Sequence, residues 1–166
     1  MKVTDQQLFE QSEDTQHGRY LTFCLGEEIF GIQIEYVTEI IGLQPVTKVP
    51  EVASYIKGII NLRGKIIPVV DMRLKFGKAS IEYDDRTCII VVDTDNMMVG
   101  LIVDKVAEVM TIDDENVVPP PSYKTGIKNR YLQGIGKVNE DVVLLLECKK
   151  LFDESEEHEI RQTEER

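Results

Sequence analysis

Two blocks of this chain recur in the same order, and a chain that carries one pattern twice has few ways to fold. Displaced by 69 residues, Leu21 to Ile41 lies over Ile90 to Met110, pairing Gly31 with Gly100, Ile32 with Leu101, Ile34 with Val103, Val37 with Val106 and Glu39 with Glu108. Displaced by 76, Gly58 lies over Gly134, Ile66-Ile67-Pro68-Val69-Val70 over Val142-Val143-Leu144-Leu145-Leu146, Asp71 over Glu147 and Phe76 over Phe152. Such self-similarity is the mark of duplicated structural units. It predicts two related β-barrels packed side by side, with a seam between them.

The units read as strands because apolar residues alternate. Leu21, Phe23 and Leu25 alternate, Gly26-Glu27-Glu28 turns, and Phe30, Ile32 and Ile34 alternate again, which makes a hairpin. A second hairpin runs from Gly58 to Leu62, turns at Arg63-Gly64 and returns from Lys65 to Val70. Short strands at regular spacing point to small barrels, whose closure removes free sheet edges. A short helix is expected across Glu51 to Ile56, after Pro50. Another is expected from near Cys148, docked by Leu151 and Phe152 and then fraying. Met1 to Gly18 and Asp153 to Arg166 read as polar tails, the acidic run of the second as a solvated face.

Several functions are disfavoured by what the chain carries. Thirty acidic residues against nineteen basic ones give a formal charge of −11, which repels the phosphate backbone that supplies most nucleic-acid affinity. The longest uncharged apolar stretch, Met97 to Val103, is too short to span a bilayer. Cys24, Cys88 and Cys148 are widely spaced within apolar runs and read as buried, inert thiols. The two histidines, His17 and His158, fall in the tails. Asp93-Thr94-Asp95-Asn96 imitates the start of a calcium loop, but Met97 and Met98 follow where oxygen and glycine are needed, so a hairpin turn is expected there. Gly134-Ile135-Gly136 lacks the third glycine of a dinucleotide fingerprint. No nucleophile elbow, P-loop or zinc spacing is present in the sequence, and neither a cofactor nor a metal is expected.

Two features exceed what a fold requires. Arg63 stands at a hairpin tip where the turn needs only Gly64, leaving its guanidinium available to a partner. The matched segments Ile34 to Ile41 and Val103 to Met110 are apolar at both parities, so both of their faces want cover.

Ile56-Lys57-Gly58-Ile59-Ile60-Asn61-Leu62-Arg63-Gly64, followed by Ile67-Pro68-Val69-Val70-Asp71-Met72-Arg73, closely resembles the signature of the CheW family of chemotaxis coupling proteins. So do Phe30-Gly31-Ile32 with Val37-Thr38-Glu39-Ile40, Val99 to Asp104, and Tyr131-Leu132-Gln133-Gly134; the similarity runs from about Arg19 to Phe152. The resemblance implies an all-β fold of two SH3-like five-stranded barrels from an internal duplication, with short helices and a C-terminal helix. Residues 1–152 would form the domain, as two intertwined subdomains, the first mainly 30–85 and the second mainly 88–146 with contributions from 19–29. The acidic tail would be 153–166.

It further implies a non-enzymatic, cytoplasmic adaptor, recruited to membrane receptor arrays, that couples chemoreceptors to the histidine kinase CheA. No nucleic acid, membrane insertion or small-molecule substrate would be involved. The nearest alternative is a detached CheA-type regulatory domain, or a coupling module of another two-component pathway. Val37, Glu39, Gly58, Arg63 and Val109 match family positions tied to receptor or kinase coupling. With Ile34, Leu101, Val103 and Val106, taken from the repeat, they make the expected site: a receptor groove of Ile34, Val37, Glu39, Leu101, Val103, Val106 and Val109, and coupling positions Gly58 and Arg63.

Overall fold

The computed structural model describes residues 17–120 and 130–164; the predicted N-terminal tail therefore lies, up to residue 16, outside the described residues. Among the described residues eleven strands form two sheets. In chain order they are β1 (Arg19–Leu25), β2 (Glu28–Gln33), β3 (Val37–Gly42), β4 (Ile56–Leu62), β5 (Lys65–Asp71), β6 (Cys88–Asp93), β7 (Met98–Val103), β8 (Lys105–Thr111), β9 (Val117–Val118), β10 (Leu132–Val138) and β11 (Asp141–Leu146). Two α-helices join them, α1 (Met72–Lys75) and α2 (Glu154–Glu164).

The sheets run β8-β1-β2-β11-β10-β9 and β3-β6-β7-β5-β4. This revises the expected partition. β6 and β7 were assigned to the second barrel, but β6 pairs with β3 and β7 lies parallel to β5, inside the first. Conversely, the second barrel takes all of β2 as well as β1, which lies within the 19–29 contribution expected there: they pair with β11 and β8. Each barrel therefore takes its leading hairpin from the opposite half of the chain.

The duplication is written in the register. Leu21 faces Ile32 as Ile90 faces Leu101, and Tyr20 faces Met110 as Ile89 faces Ile41. The bulge that shifts β1 against β8, between Leu21 and Phe23, recurs where β3 meets β6, between Val37 and Glu39. Gly58 faces Val69 as Gly134 faces Leu145. Even the short strand β9 has its counterpart in the single bridge between Thr47 and Ile59.

Because side chains alternate across each sheet, every sheet has two apolar faces and the molecule has three cores. Ile60, Ile67, Val69, Ile89, Val91 and Ile102 fill one barrel. Tyr20, Ile112, Val143 and Leu145 fill the other. The largest core is the seam between them, where Leu21, Phe23, Phe30 and Ile32 of one sheet meet Ile90, Val92, Leu101 and Val103 of the other. Phe23, Phe30, Phe76 and Tyr131 run through it as a chain of ring contacts, with centroids 5.4 to 5.6 Å apart. A core of this size makes the two barrels one unit.

Three local expectations change. Ile34–Tyr36 is a 3₁₀ turn rather than the start of a strand. The segment 51–56 is not helical: Glu51 has a left-handed φ of 60°, and the Ala53 N–H is donated to Glu159 of α2, 2.8 Å away. Cys148–Lys150 is only a 3₁₀ turn, and the helix begins six residues beyond Cys148 at Glu154.

The C-terminal segment is docked rather than frayed. Ile160 is fully buried in the seam core, and Glu156 and Glu159 turn inward. Glu156 pairs with Lys75, which also donates to the Tyr131 hydroxyl at 3.0 Å and lies over the rings of Tyr55, Tyr131 and Phe152. Its acidic carboxylates are thus in part anchors, not only a solvated face.

Candidate functional site

The β4–β5 hairpin turns through Arg63 at φ 52° and Gly64 at φ 85°. A left-handed backbone costs a non-glycine residue about 1 to 2 kcal/mol, least when the residue is asparagine. The matched turn of the second half holds Asn139 at φ 56°. Asn139 holds the left-handed position there, followed by Glu140 without one, so Arg63 takes a matching φ at a penalty that Asn would reduce. Its guanidinium reaches across to Glu39 on edge strand β3. The Arg63 side chain is 71 % exposed, so the pair contributes at most about 1 kcal/mol to folding. In the second half Asn139 cannot form the same ion pair with Glu108, so the charge pair belongs to one barrel only.

Glu39 stands two residues from Val37 on the same strand. Val37, Ile34 and Val106 are half-buried and pack against the margin of the seam core, so these three, with Glu39, Arg63 and Val109, form the part of the expected site that the fold brings to accessible positions. Val109 is exposed on β8, at the position matching exposed Ile40 on β3, and belongs to none of the three cores.

Leu101 and Val103 do not belong to an accessible groove. They are 0 % and 1 % exposed within the seam core. The register bears out the pairing of Leu101 with Ile32, but Val103 ends strand β7 where Ile34 opens a 3₁₀ turn, and the repeat says nothing about which face is covered. Gly58 is explained by the fold alone. At φ 143°, a Cβ there would stand 2.8 Å from the Thr47 carbonyl carbon, closer still to its oxygen, and 3.0 Å from Val46 Cγ1.

The signature residue Asp104 has a positioning role that sequence reasoning missed. It accepts from Arg73 through both carboxylate oxygens, at 2.8 and 2.7 Å, and from the Gly26 N–H at 2.7 Å. Burial pushes its carboxyl up, but those donors outweigh it and hold the group below its ordinary value. The network ties the β7–β8 corner to α1 and to the β1–β2 turn. The signal was Asp104 itself, a charged residue ending an apolar run.

Chemistry is sparse at this site. Groups of three or more metal-ligating side chains do not occur among the described residues. Burial, aided by Glu147, pushes the Cys148 thiol up to about 12. Cys24 is buried as expected, whereas Cys88 is half-buried. Titration of the native chain with an aromatic disulfide reagent is expected to modify Cys88 within minutes, and Cys24 and Cys148 only upon unfolding. Rapid modification of Cys148 would contradict the packing of the seam.

Fold and site together define a pair of SH3-like barrels fused through a common core, with an ion-paired hairpin tip beside the seam. The family model described as the CheW-like domain matches residues 19–156, and the chain belongs to that family. It is 36 % identical over 137 residues to the chemotaxis protein CheW of Klebsiella aerogenes, covering 82 % of each chain. It is 34 % identical over 140 residues to that of Treponema pallidum, again covering 82 % of each. Among solved structures it resembles the scaffolding protein TtCheW of Thermoanaerobacter tengcongensis with a TM-score of 0.76 and 38 % identity, over 82 % of this chain and 92 % of that one.

Proposed function

We propose that this chain is a non-enzymatic adaptor of bacterial chemotaxis that couples the cytoplasmic tips of chemoreceptors to the regulatory domain of the histidine kinase CheA. The observation that carries the reading is Arg63: an exposed cation kept at a left-handed position that Asn139 holds in the other half, and aimed at Glu39 rather than into solvent. Membership of the CheW-like family supports it, since its named relatives are chemotaxis proteins and one is a scaffolding protein.

In this reading the apolar side chains of Ile34, Val37 and Val106 receive the helical receptor tip, while Arg63, Glu39 and Val109 meet receptor or kinase. The adaptor turns nothing over. By holding both partners it raises the effective concentration of kinase at the receptor, and contacts that differ between two receptor states shift kinase activity. It would act in the cytoplasm and be recruited to membrane arrays through the receptors.

The test is receptor-stimulated autophosphorylation of CheA, reconstituted with the purified chain. Arg63→Asn is expected to melt within about 2 °C of the parent or above it, because Asn suits the turn better. It should nevertheless lower kinase stimulation about tenfold or more, a loss of about 1.4 kcal/mol of coupling. Full stimulation by Arg63→Asn would remove the main support for the reading.

A further inference from the structure

We propose that the chain carries a second docking site, on the seam-facing side of β10 and β11, that takes a basic amphipathic helix of a partner protein. The proposal goes beyond the coupling role and uses none of its residues.

The inference comes from comparing the two halves. On β4 and β5, helix α2 covers the seam-facing side chains and buries Ile160 completely. Beneath it Ile56, Pro68 and Val70 are buried. Their counterparts at the 76-residue offset are Leu132, Leu144 and Leu146 on β10 and β11. Among the described residues no helix covers them. The chain after α1 leaves toward the other barrel, where Tyr83 packs on that barrel's core and donates to Asp71 at 2.6 Å. Leu132 and Leu144 are consequently left half-exposed, and with Phe30 and Phe76 they line a cavity of about 150 Å³. That is the volume of an apolar cavity that takes up a benzene-sized group, enough for one side chain doing what Ile160 does in the other half.

The surroundings select the occupant. Glu28, paired with Lys78, stands at the edge of the cavity. A neighbouring depression shares Glu28 and Leu144 with it and adds Glu27, Glu140, Asp141 and Val142, the last 53 % exposed. Lys78 also lines the cavity and offsets Glu28, which leaves Glu27, Glu140 and Asp141 as the negative rim. An apolar floor beside these three carboxylates suits a helix with aliphatic residues on one face and lysine or arginine on the other. The chain's own α2, with Glu154, Glu156, Glu157 and Glu159, has the wrong charge to fill it from a second copy.

The test uses the full chain with methyl-labelled leucine, isoleucine and valine. The probe is a synthetic helix of about fourteen residues, isoleucine at every third and fourth position and lysine opposite. Saturable shifts are expected at Leu132, Leu144 and Leu146 below about 1 mM peptide, weakening as salt is raised. Leu144→Lys, at a half-exposed position, should keep the fold and weaken binding about tenfold or more. Three results would overturn the proposal: shifts confined to Ile34, Val37 and Val106, equal binding of a glutamate version or of a peptide spanning residues 153–166, and no shift at all. Because the readout contains neither receptor nor kinase, its failure leaves the coupling role untouched, and failure of the coupling role leaves this site standing.

Discussion

Replacing Gly58 by alanine is expected to cost about 3 kcal/mol, combining a backbone conformation that L side chains rarely adopt with a steric clash. For a chain of this length that is a fall of roughly 10 °C in melting temperature. The clash cannot relax locally, because the atoms the new methyl meets are the carbonyl of Thr47 and Val46 Cγ1. Thr47 is held by two hydrogen bonds of 2.9 Å to Ile59, one in each direction. Gly64→Ala is the control: its φ of 85° is also left-handed, but nothing lies within 4 Å, so it should lose only about 1 kcal/mol. Differential scanning calorimetry of both variants decides. Equal, small losses would mean that the Thr47 bridge does not hold in solution. A coupling defect caused by Gly58 substitutions is then a folding defect, unlike one caused by Arg63.

Lys75→Ala is expected to be as damaging, at about 3 to 5 kcal/mol, most of it from the void its buried stem leaves. The Lys75 side chain is 3 % exposed and its ammonium is met by Glu156, the Tyr131 hydroxyl and three aromatic rings. Truncation leaves Glu156 without its main counter-charge and opens a void where α1, α2 and both halves of the chain converge. Lys75→Met keeps the volume and removes only the charge. Glu156 then retains Arg130 at 3.2 Å and the Tyr55 hydroxyl at 3.2 Å, and the loss should fall to about 1 kcal/mol. Burial, reinforced by Glu156, raises the pKa of Tyr55, so that its hydroxyl stays a donor well into the alkaline range. Urea melts of the two variants, with amide exchange across α2, provide the readout. Losses below about 1 kcal/mol for both would show that the cluster does not hold the helix.

Much of this was legible in the sequence, and the reasons for what was not are physical. Hairpins β1–β2 and β4–β5 were visible because their contacts are local and their side chains alternate. The duplication was visible because Leu21–Ile41 and Gly58–Phe76 keep order and polarity when repeated. The entry of β6 and β7 into the first barrel was not, since pairing β3 with β6 or with β1 satisfies the same alternation, and only the global packing of the seam chooses. A C-terminal helix docked through Leu151 and Phe152 was legible, but its docking beyond them was not, because its further anchors are Glu156, Glu159 and a single Ile160, a stretch that hydropathy reads as solvated. The expected helix at 51–56 followed Pro50 and an early glutamate, both sound local signals, and gave way to a segment bound instead by the Ala53 to Glu159 hydrogen bond. At the site, Arg63 was readable as an unnecessary arginine in a turn, whereas the burial of Leu101 and Val103 depends on the second sheet lying over them.

The central claim is that the chain binds the kinase through the surface that carries Arg63. Isothermal titration calorimetry of the purified chain against the C-terminal regulatory domain of the cognate CheA, with Arg63→Asn and Arg63→Ala alongside, tests it most directly. The predicted result is saturable one-to-one binding by the parent chain, weakened about tenfold or more in both variants while their melting temperatures stay within about 2 °C. Absence of any complex with the parent, or unchanged affinity in both folded variants, would contradict it.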